Sequence, residues 1–231
     1  AAPIVRFSNV IQALRARLFR LGSLKPQIPW SQEAVSQAGV MFYSADNNPD
    51  LWRRLISLKD LVFVVPCLEN DEIAYIREHP HLKKFVKVED DGSTSIPVLS
   101  ASRAKGLEFN RVVVLGFGED CPLPLEDILA ADADEALREN TVENNLGLQY
   151  FLNRLYVAVT RAKQQLLVID SIKGNERFWT RFHEPFAAMG LATMRGARDV
   201  WEPMLGRMDE ALPLDVLPAR ADDEAVVRHS A

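Results

Sequence analysis

Two arginines and one polar turn have the chemical reach to act on a ligand. In the stretch from Gln149 to Asp170, QYFLNRLYVAVTRAKQQLLVID, Arg154, Ala158 and Arg161 stand at i, i+4 and i+7. On a helix that spacing puts two guanidiniums on one face with a small residue between them. Such a face suits a polyanion, because arginine stays charged and its planar fork matches phosphate geometry. In the stretch from Ile96 to Gly118, IPVLSASRAKGLEFNRVVVLGFG, the polar residues Ser100, Ser102, Arg103 and Lys105 fall between two apolar runs. Hydroxyls and cations gathered in one turn are donors for phosphate oxygens.

The elements that must hold these groups follow from periodicity. Leu152, Leu155, Tyr156 and Val159 form the apolar side of the predicted helix, which runs directly into a strand near 165–170. The other stretch reads as strand, loop, strand: an apolar run ending at Leu99, the polar turn, then the buried run Val112 to Leu115. The turn groups are therefore expected at the carboxyl end of a strand, where open parallel sheets usually bind ligands.

Elsewhere the chain alternates strand and helix. A helix is expected over 8–21 with Ser8 as N-cap, a strand over 39–45, and a helix from Asn48-Pro49-Asp50 to Lys59. Leu61 to Val65 (LVFVV) reads as a buried strand, followed by a helix from Glu69 to Glu78, a short strand over 85–89 and a turn at Asp90-Asp91-Gly92. Helices follow over 125–140 and 175–189; the stripe Phe178, Trp179, Phe182 and Phe186 on the second is expected to pack on the sheet. The alternation predicts an α/β fold with a mostly parallel sheet and helices on both faces. The expected organisation is a helix and linker over 1–38, the α/β domain over 39–190, and beyond it a short helix at 197–208 and a disordered tail.

Composition narrows the function classes. Hydrophobic residues make up 48% of 231, ample for a core, while no apolar run reaches the roughly 18 to 20 residues of a membrane span. With no secretory pattern at its start, the chain is read as cytoplasmic. A net charge of −5 argues against bulk attraction to nucleic acid but leaves room for a local basic groove. Cys67 and Cys121 are too few for a disulfide scaffold or zinc site, and His79 and His81 read as a solvated helix end with no further ligands near. No glycine is followed by lysine, so there is no phosphate-cradling GxxxxGK[ST] loop. The strand followed by Glu119-Asp120 mimics a magnesium-binding box, but Gly116 and Gly118 interrupt the run. No metal site is expected in this chain, and alone it is not expected to hydrolyse ATP.

The two stretches together resemble motifs V and VI of the UvrD/Rep-like superfamily 1 DNA helicases, in their second RecA-like motor domain. Motif V, close to T-x-H-x-A-K-G-L-E-F, stands here as Ser100-Ala101-Ser102-Arg103-Ala104-Lys105-Gly106-Leu107-Glu108-Phe109. Motif VI, close to R-R-L-x-Y-V-A-x-T-R-A, stands as Asn153-Arg154-Leu155-Tyr156-Val157-Ala158-Val159-Thr160-Arg161-Ala162. The resemblance spans roughly residues 60 to 170 and implies a RecA-like fold, of P-loop NTPase type, without a P-loop of its own. It implies ATP with Mg²⁺ in a cleft shared with an N-terminal RecA-like domain of the same parent protein, and single-stranded DNA as partner. Arg161 would then be the arginine finger. Gly106 and Glu108 would line the nucleotide, Glu108 accepting from the ribose, and Arg154 would support the helix or the nucleotide. Ser100, Ser102, Arg103 and Lys105 would approach the DNA backbone. Three features depart from the family: Ser102 replaces its histidine, Val65-Pro66-Cys67 replaces its motif IV arginine, and its large helical insertion has no room here. The first two motivate an alternative, a degenerate RecA-like module that binds a partner protein or nucleic acid without hydrolysing ATP.

Overall fold

The computed structural model describes residues 2–19, 27, 39–46, 49–124 and 142–179. The Val-rich run Leu61–Val65 forms β2, with every residue buried as its unbroken apolar pattern predicts. It is a central strand of a five-stranded sheet with β1 (Val40–Ser44), β3 (Val98–Ser100), β4 (Phe109–Leu115) and β5 (Ala162–Asp170), in the order β1-β5-β4-β2-β3. All four pairings are parallel.

Side chains alternate between the two faces. Val112, Val114, Leu166 and Val168 point to one, where they meet α1 (Ala2–Phe19), α5 (Ala101–Ala104) and α7 (Val142–Val159). Val113, Leu115, Leu167 and Ile169 point to the other, against α2 (Pro49–Ile56), α3 (Glu72–Glu78) and α4 (Leu82–Phe85). Each fully buried Leu or Val stabilises by roughly 1.5–3 kcal/mol, so the two layers fix the sheet between them. Two short helices, α6 (Phe117–Asp120) and α8 (Ile172–Arg177), meet at the carboxyl end of β4 and β5. There Gly118 and Gly174 approach so closely that a Cβ on Gly118 would stand 2.3 Å from the Gly174 carbonyl oxygen.

Several local expectations give way to packing. Ser8 is no N-cap: α1 begins six residues earlier and the Ser8 hydroxyl donates to the Val5 carbonyl at 2.8 Å. The strand expected over 85–89 begins instead as the last residue of α4, leaving a single antiparallel bridge, Val88 to Thr94. The polar turn after β3 winds into the one-turn α5. His79 is half-buried rather than a free solvated end. Its Nδ1 accepts from the N–H groups of His81 and Leu82 at 3.3 and 3.2 Å, and burial, then His81, pushes its pKa down to about 4. Phe178 and Trp179 are buried beside Phe7, Phe42 and Phe151, but α8 ends at Arg177, so they follow that helix rather than lie on the one expected over 175–189. The helices expected over 125–140 and 197–208, the tail, and Phe182 and Phe186 lie outside the described residues.

Candidate functional site

Of the nucleotide candidates, Glu108 and Arg161 come to one edge because β4 and β5 are neighbours and parallel. Phe109 pairs with Ala162 across them, so Glu108 and Arg161, each one residue earlier, flank the same edge. The Phe109 N–H donates to the Arg161 carbonyl at 2.9 Å. The Arg161 guanidinium turns toward the incoming loop: Nη1 donates to the Leu107 carbonyl, Nε to the Val157 carbonyl and Nη2 to the Thr160 hydroxyl, each at 3.0 Å. A guanidinium has five N–H donors, so two remain for an outside acceptor. A cation at this point also complements the last carbonyls of α7.

The loop carrying Glu108 is shaped by its backbone. Gly106 has φ +83 and nothing within 4 Å of where a Cβ would stand, so conformation rather than space requires glycine. Leu107 N–H donates to the Ala104 carbonyl at 3.1 Å, closing the turn, and Glu108 is left exposed. Beside Glu108 opens a cavity of about 510 Å³ lined also by Ile56, Leu58, Asp60, Phe109, Asn110 and Lys163. This edge is the amino end of the strands. It is opposite to the carboxyl end, where the sequence pattern places the functional groups.

The nucleic-acid candidates lie at that carboxyl end, after β3. Ser100 is fully buried: its Oγ accepts the Arg103 N–H at 3.3 Å, capping α5, and its N–H donates to Glu72 Oε1 at 3.1 Å. Ser100 thus presents its neighbours rather than reaching outward. Glu72 is itself buried, and Arg103 Nη1 stands 3.7 Å from its Oε2. Burial raises the Glu72 carboxyl, but the Ser100 hydroxyl and N–H, with Arg103, outweigh it and hold the pKa below its ordinary value. Ser102, Arg103 and Lys105 are exposed.

Arg154 does not join Arg161. It points to the carboxyl end of β2, where Nη1 donates to the Pro66 carbonyl, Nη2 pairs with Asp120 at 2.6 Å, and the guanidinium lies 4.5 Å from the Tyr150 ring centre. The two arginines therefore offer no common cradle for one polyanion. Asp120, half of the Glu-Asp pair after β4, is engaged by this arginine; burial raises its carboxyl and Arg154 offsets only part of that. Among the described residues no group of three His, Cys, Asp or Glu is placed to hold a metal ion. Both cysteines are free, and burial pushes each thiol up to about 12. No helix among the described residues is long and apolar enough to cross a membrane.

Sequence reasoning missed Thr160, Glu72 and Tyr150. Thr160 carried a readable signal, a β-branched hydroxyl in the last turn of a helix, able to bond back to carbonyls. Glu72 carried none, since an acid in a first helical turn reads as a solvated charge.

A parallel sheet covered on both faces, without a phosphate loop and with these two loops meeting at one edge, is a RecA-like α/β domain of the helicase type. The UvrD-like helicase C-terminal domain family matches residues 45–173, more than half of the chain, and the chain belongs to that family. It is also similar to the crystal structure of the C-terminal domain of a possible DNA helicase from Lactobacillus plantarum WCFS1. The two are 17% identical, covering 77% of this chain and 92% of that one, with a TM-score of 0.33. No curated protein matches the chain.

Proposed function

We propose that this chain is the second motor domain of an ATP-dependent DNA helicase or translocase, and that its 106–108 loop and Arg161 form one wall of a nucleotide cleft. The observation that carries the reading is the hydrogen bond from Arg161 to the Leu107 carbonyl, which ties the motif VI arginine to the motif V loop on one exposed edge. An exposed carboxylate one residue on, at Glu108, suits a ribose hydroxyl, and the two uncommitted N–H groups of Arg161 suit phosphate oxygens. ATP with Mg²⁺ needs a phosphate cradle, which the sequence does not contain, and a carboxylate set, which is not found among the described residues; an N-terminal motor domain of the parent protein would supply both. What Arg161 adds is charge facing the γ-phosphate as it transfers, an effect worth about 10³ to 10⁵ in rate where such arginines act. Ser102, Arg103 and Lys105 would contact the backbone of single-stranded DNA, with Ser100 and Glu72 holding their turn in place.

A second reading has its own support. Three Arg161 nitrogens are already bonded within the domain, and the Pro66 carbonyl at the motif IV position is occupied by Arg154. Those contacts also suit a degenerate module that binds a partner without hydrolysis. The test is steady-state, DNA-stimulated ATP hydrolysis by the protein carrying both motor domains. Arg161→Ala is expected to lower kcat by about 10³-fold, and Glu108→Ala to raise KM by several-fold with a smaller effect on kcat. Hydrolysis within threefold of wild type for Arg161→Ala would make that arginine structural and favour the second reading.

A further inference from the structure

Arg161 is held by three anchors, and one of them is a side chain. Its Nε and Nη1 bind main-chain carbonyls of Val157 and Leu107, which any sequence would offer, but Nη2 binds a side chain, the Thr160 hydroxyl, at 3.0 Å. That hydroxyl lies 2.9 Å from the Tyr156 carbonyl and 3.0 Å from the Val157 carbonyl. It has one hydrogen, which goes to one of these two acceptors, so its lone pairs remain for Arg161. The last turn of α7 thereby fixes which way the Thr160 oxygen faces.

We propose that Thr160 is a positioning residue: its hydroxyl orients the Arg161 guanidinium so that the remaining Nη1 and Nη2 hydrogens face the nucleotide phosphates. The proposal rests on Arg161 acting on the nucleotide, as argued above. Three anchors on three different nitrogens of a planar group fix both its place and its tilt. With Nη2 released, the plane is free to swing about the line through its two remaining contacts. A tilt of that kind moves the free hydrogens by an ångström or more, and misplacement on that scale can lower a rate by about 10²-fold.

The competing explanation is that Thr160 only finishes the helix. Its side-chain hydrogen bond is not needed for that. The Tyr156 carbonyl also accepts the Thr160 N–H at 3.1 Å, and the Val157 carbonyl also accepts Arg161 Nε, so removing the hydroxyl orphans neither. Thr160→Val keeps the shape and β-branching and removes only the acceptor; Thr160→Ser keeps the acceptor.

The experiment measures kcat and KM for ATP, with melting temperature, in the protein carrying both motor domains, for Thr160→Val, Thr160→Ser and Arg161→Ala. Expected for Thr160→Val is a fall in kcat of about 10- to 100-fold, with KM within about threefold and melting within about 4 °C of wild type. Thr160→Ser should keep at least about half of kcat. A Thr160→Val enzyme that keeps its kcat while Arg161→Ala loses its own overturns the proposal and leaves the role of Arg161 standing. Equal losses for Val and Ser also overturn it, because the hydroxyl would then not be what matters. If Arg161→Ala itself stays within threefold of wild type, the reading of Arg161 fails and the role given to Thr160 fails with it.

Discussion

Truncating Arg154 is expected to be the most damaging single change among the polar residues of the two motifs. The side chain is only 12% exposed, and it joins three elements: β2 through the Pro66 carbonyl, α6 through Asp120, and its own helix through the Tyr150 ring. Arg154→Ala would leave the Pro66 carbonyl without this partner, at about 1–3 kcal/mol for a buried acceptor. It would also leave Asp120 unpaired. Loss of one partner of a fully buried pair costs about 3–5 kcal/mol, but Asp120 is 34% exposed and water recovers much of that. The cation–π contact adds about 0.5–1 kcal/mol. Against these gains, Arg154 Nε is buried with no hydrogen-bond partner. Because neighbouring losses are not additive, the expected total is about 2–4 kcal/mol, or a melting shift of about 5–12 °C.

The assay is urea unfolding of wild type, Arg154→Ala, Asp120→Ala and the double variant. The cycle should give a coupling of about 1–2 kcal/mol between the two residues. A loss below about 1 kcal/mol for Arg154→Ala, the ordinary value of a surface pair, or a coupling near zero, would refute the view of Arg154 as the tie between these elements. Retention of stability with loss of nucleotide affinity would return it to the nucleotide.

Ser100→Ala removes the cap of α5 and a donor to buried Glu72; stability should fall by about 1–2 kcal/mol in the same unfolding assay, and any DNA affinity carried by Ser102 and Arg103 should fall with it. Two groups should make stability depend on pH in opposite directions. Burial raises Asp170 to about 6, above the unfolded carboxylate, so its contribution is full below about pH 4 and is lost as pH climbs through 6. Burial lowers His79 to about 4, below the unfolded imidazole, so its contribution is full above about pH 6.5 and is lost as pH falls toward 4. Each effect is on the order of 3 kcal/mol, and the two oppose each other between about pH 4 and 6.5. Asp170→Asn should expose a rising slope and His79→Gln a falling one; parallel curves for all three proteins would refute both assignments.

The strands were legible where burial on both faces leaves an unbroken apolar run, as in Leu61–Val65, whose limits agree at both ends. Context decided the rest. Phe85 to Glu89 alternates like a strand, yet it has no neighbour among the described residues beyond the single bridge at Val88, and its first residue closes the Leu82–Phe85 turn, whose first N–H donates to His79 Nδ1. The pairing of Arg154 with Arg161 failed for a reason of geometry. A helical wheel reports direction around the axis and discards distance along it. Seven residues are about 10 Å of rise. Long side chains at the two ends then find partners at opposite edges of the sheet, Pro66 and Asp120 at one and Leu107 at the other.

The meeting of Glu108 and Arg161, by contrast, follows from topology once two facts are granted: the sheet is parallel, and β4 lies beside β5. Parallel neighbours begin at the same edge, so whatever immediately precedes each strand is brought together however long the intervening chain. Glu108 precedes Phe109 and Arg161 precedes Ala162, and those two strand residues are partners in register. The two residues thus need no long-range contact of their own to share an edge; hydrogen bonding of the two strands sets their backbones side by side. β5 then carries one extra residue between Ala162 and Gln165 relative to Phe109 and Arg111, a bulge that separates this edge from the regular ladder above it. The bulge gives the edge a local geometry of its own, while the buried ladder from Val112 to Leu115 sets where that edge lies.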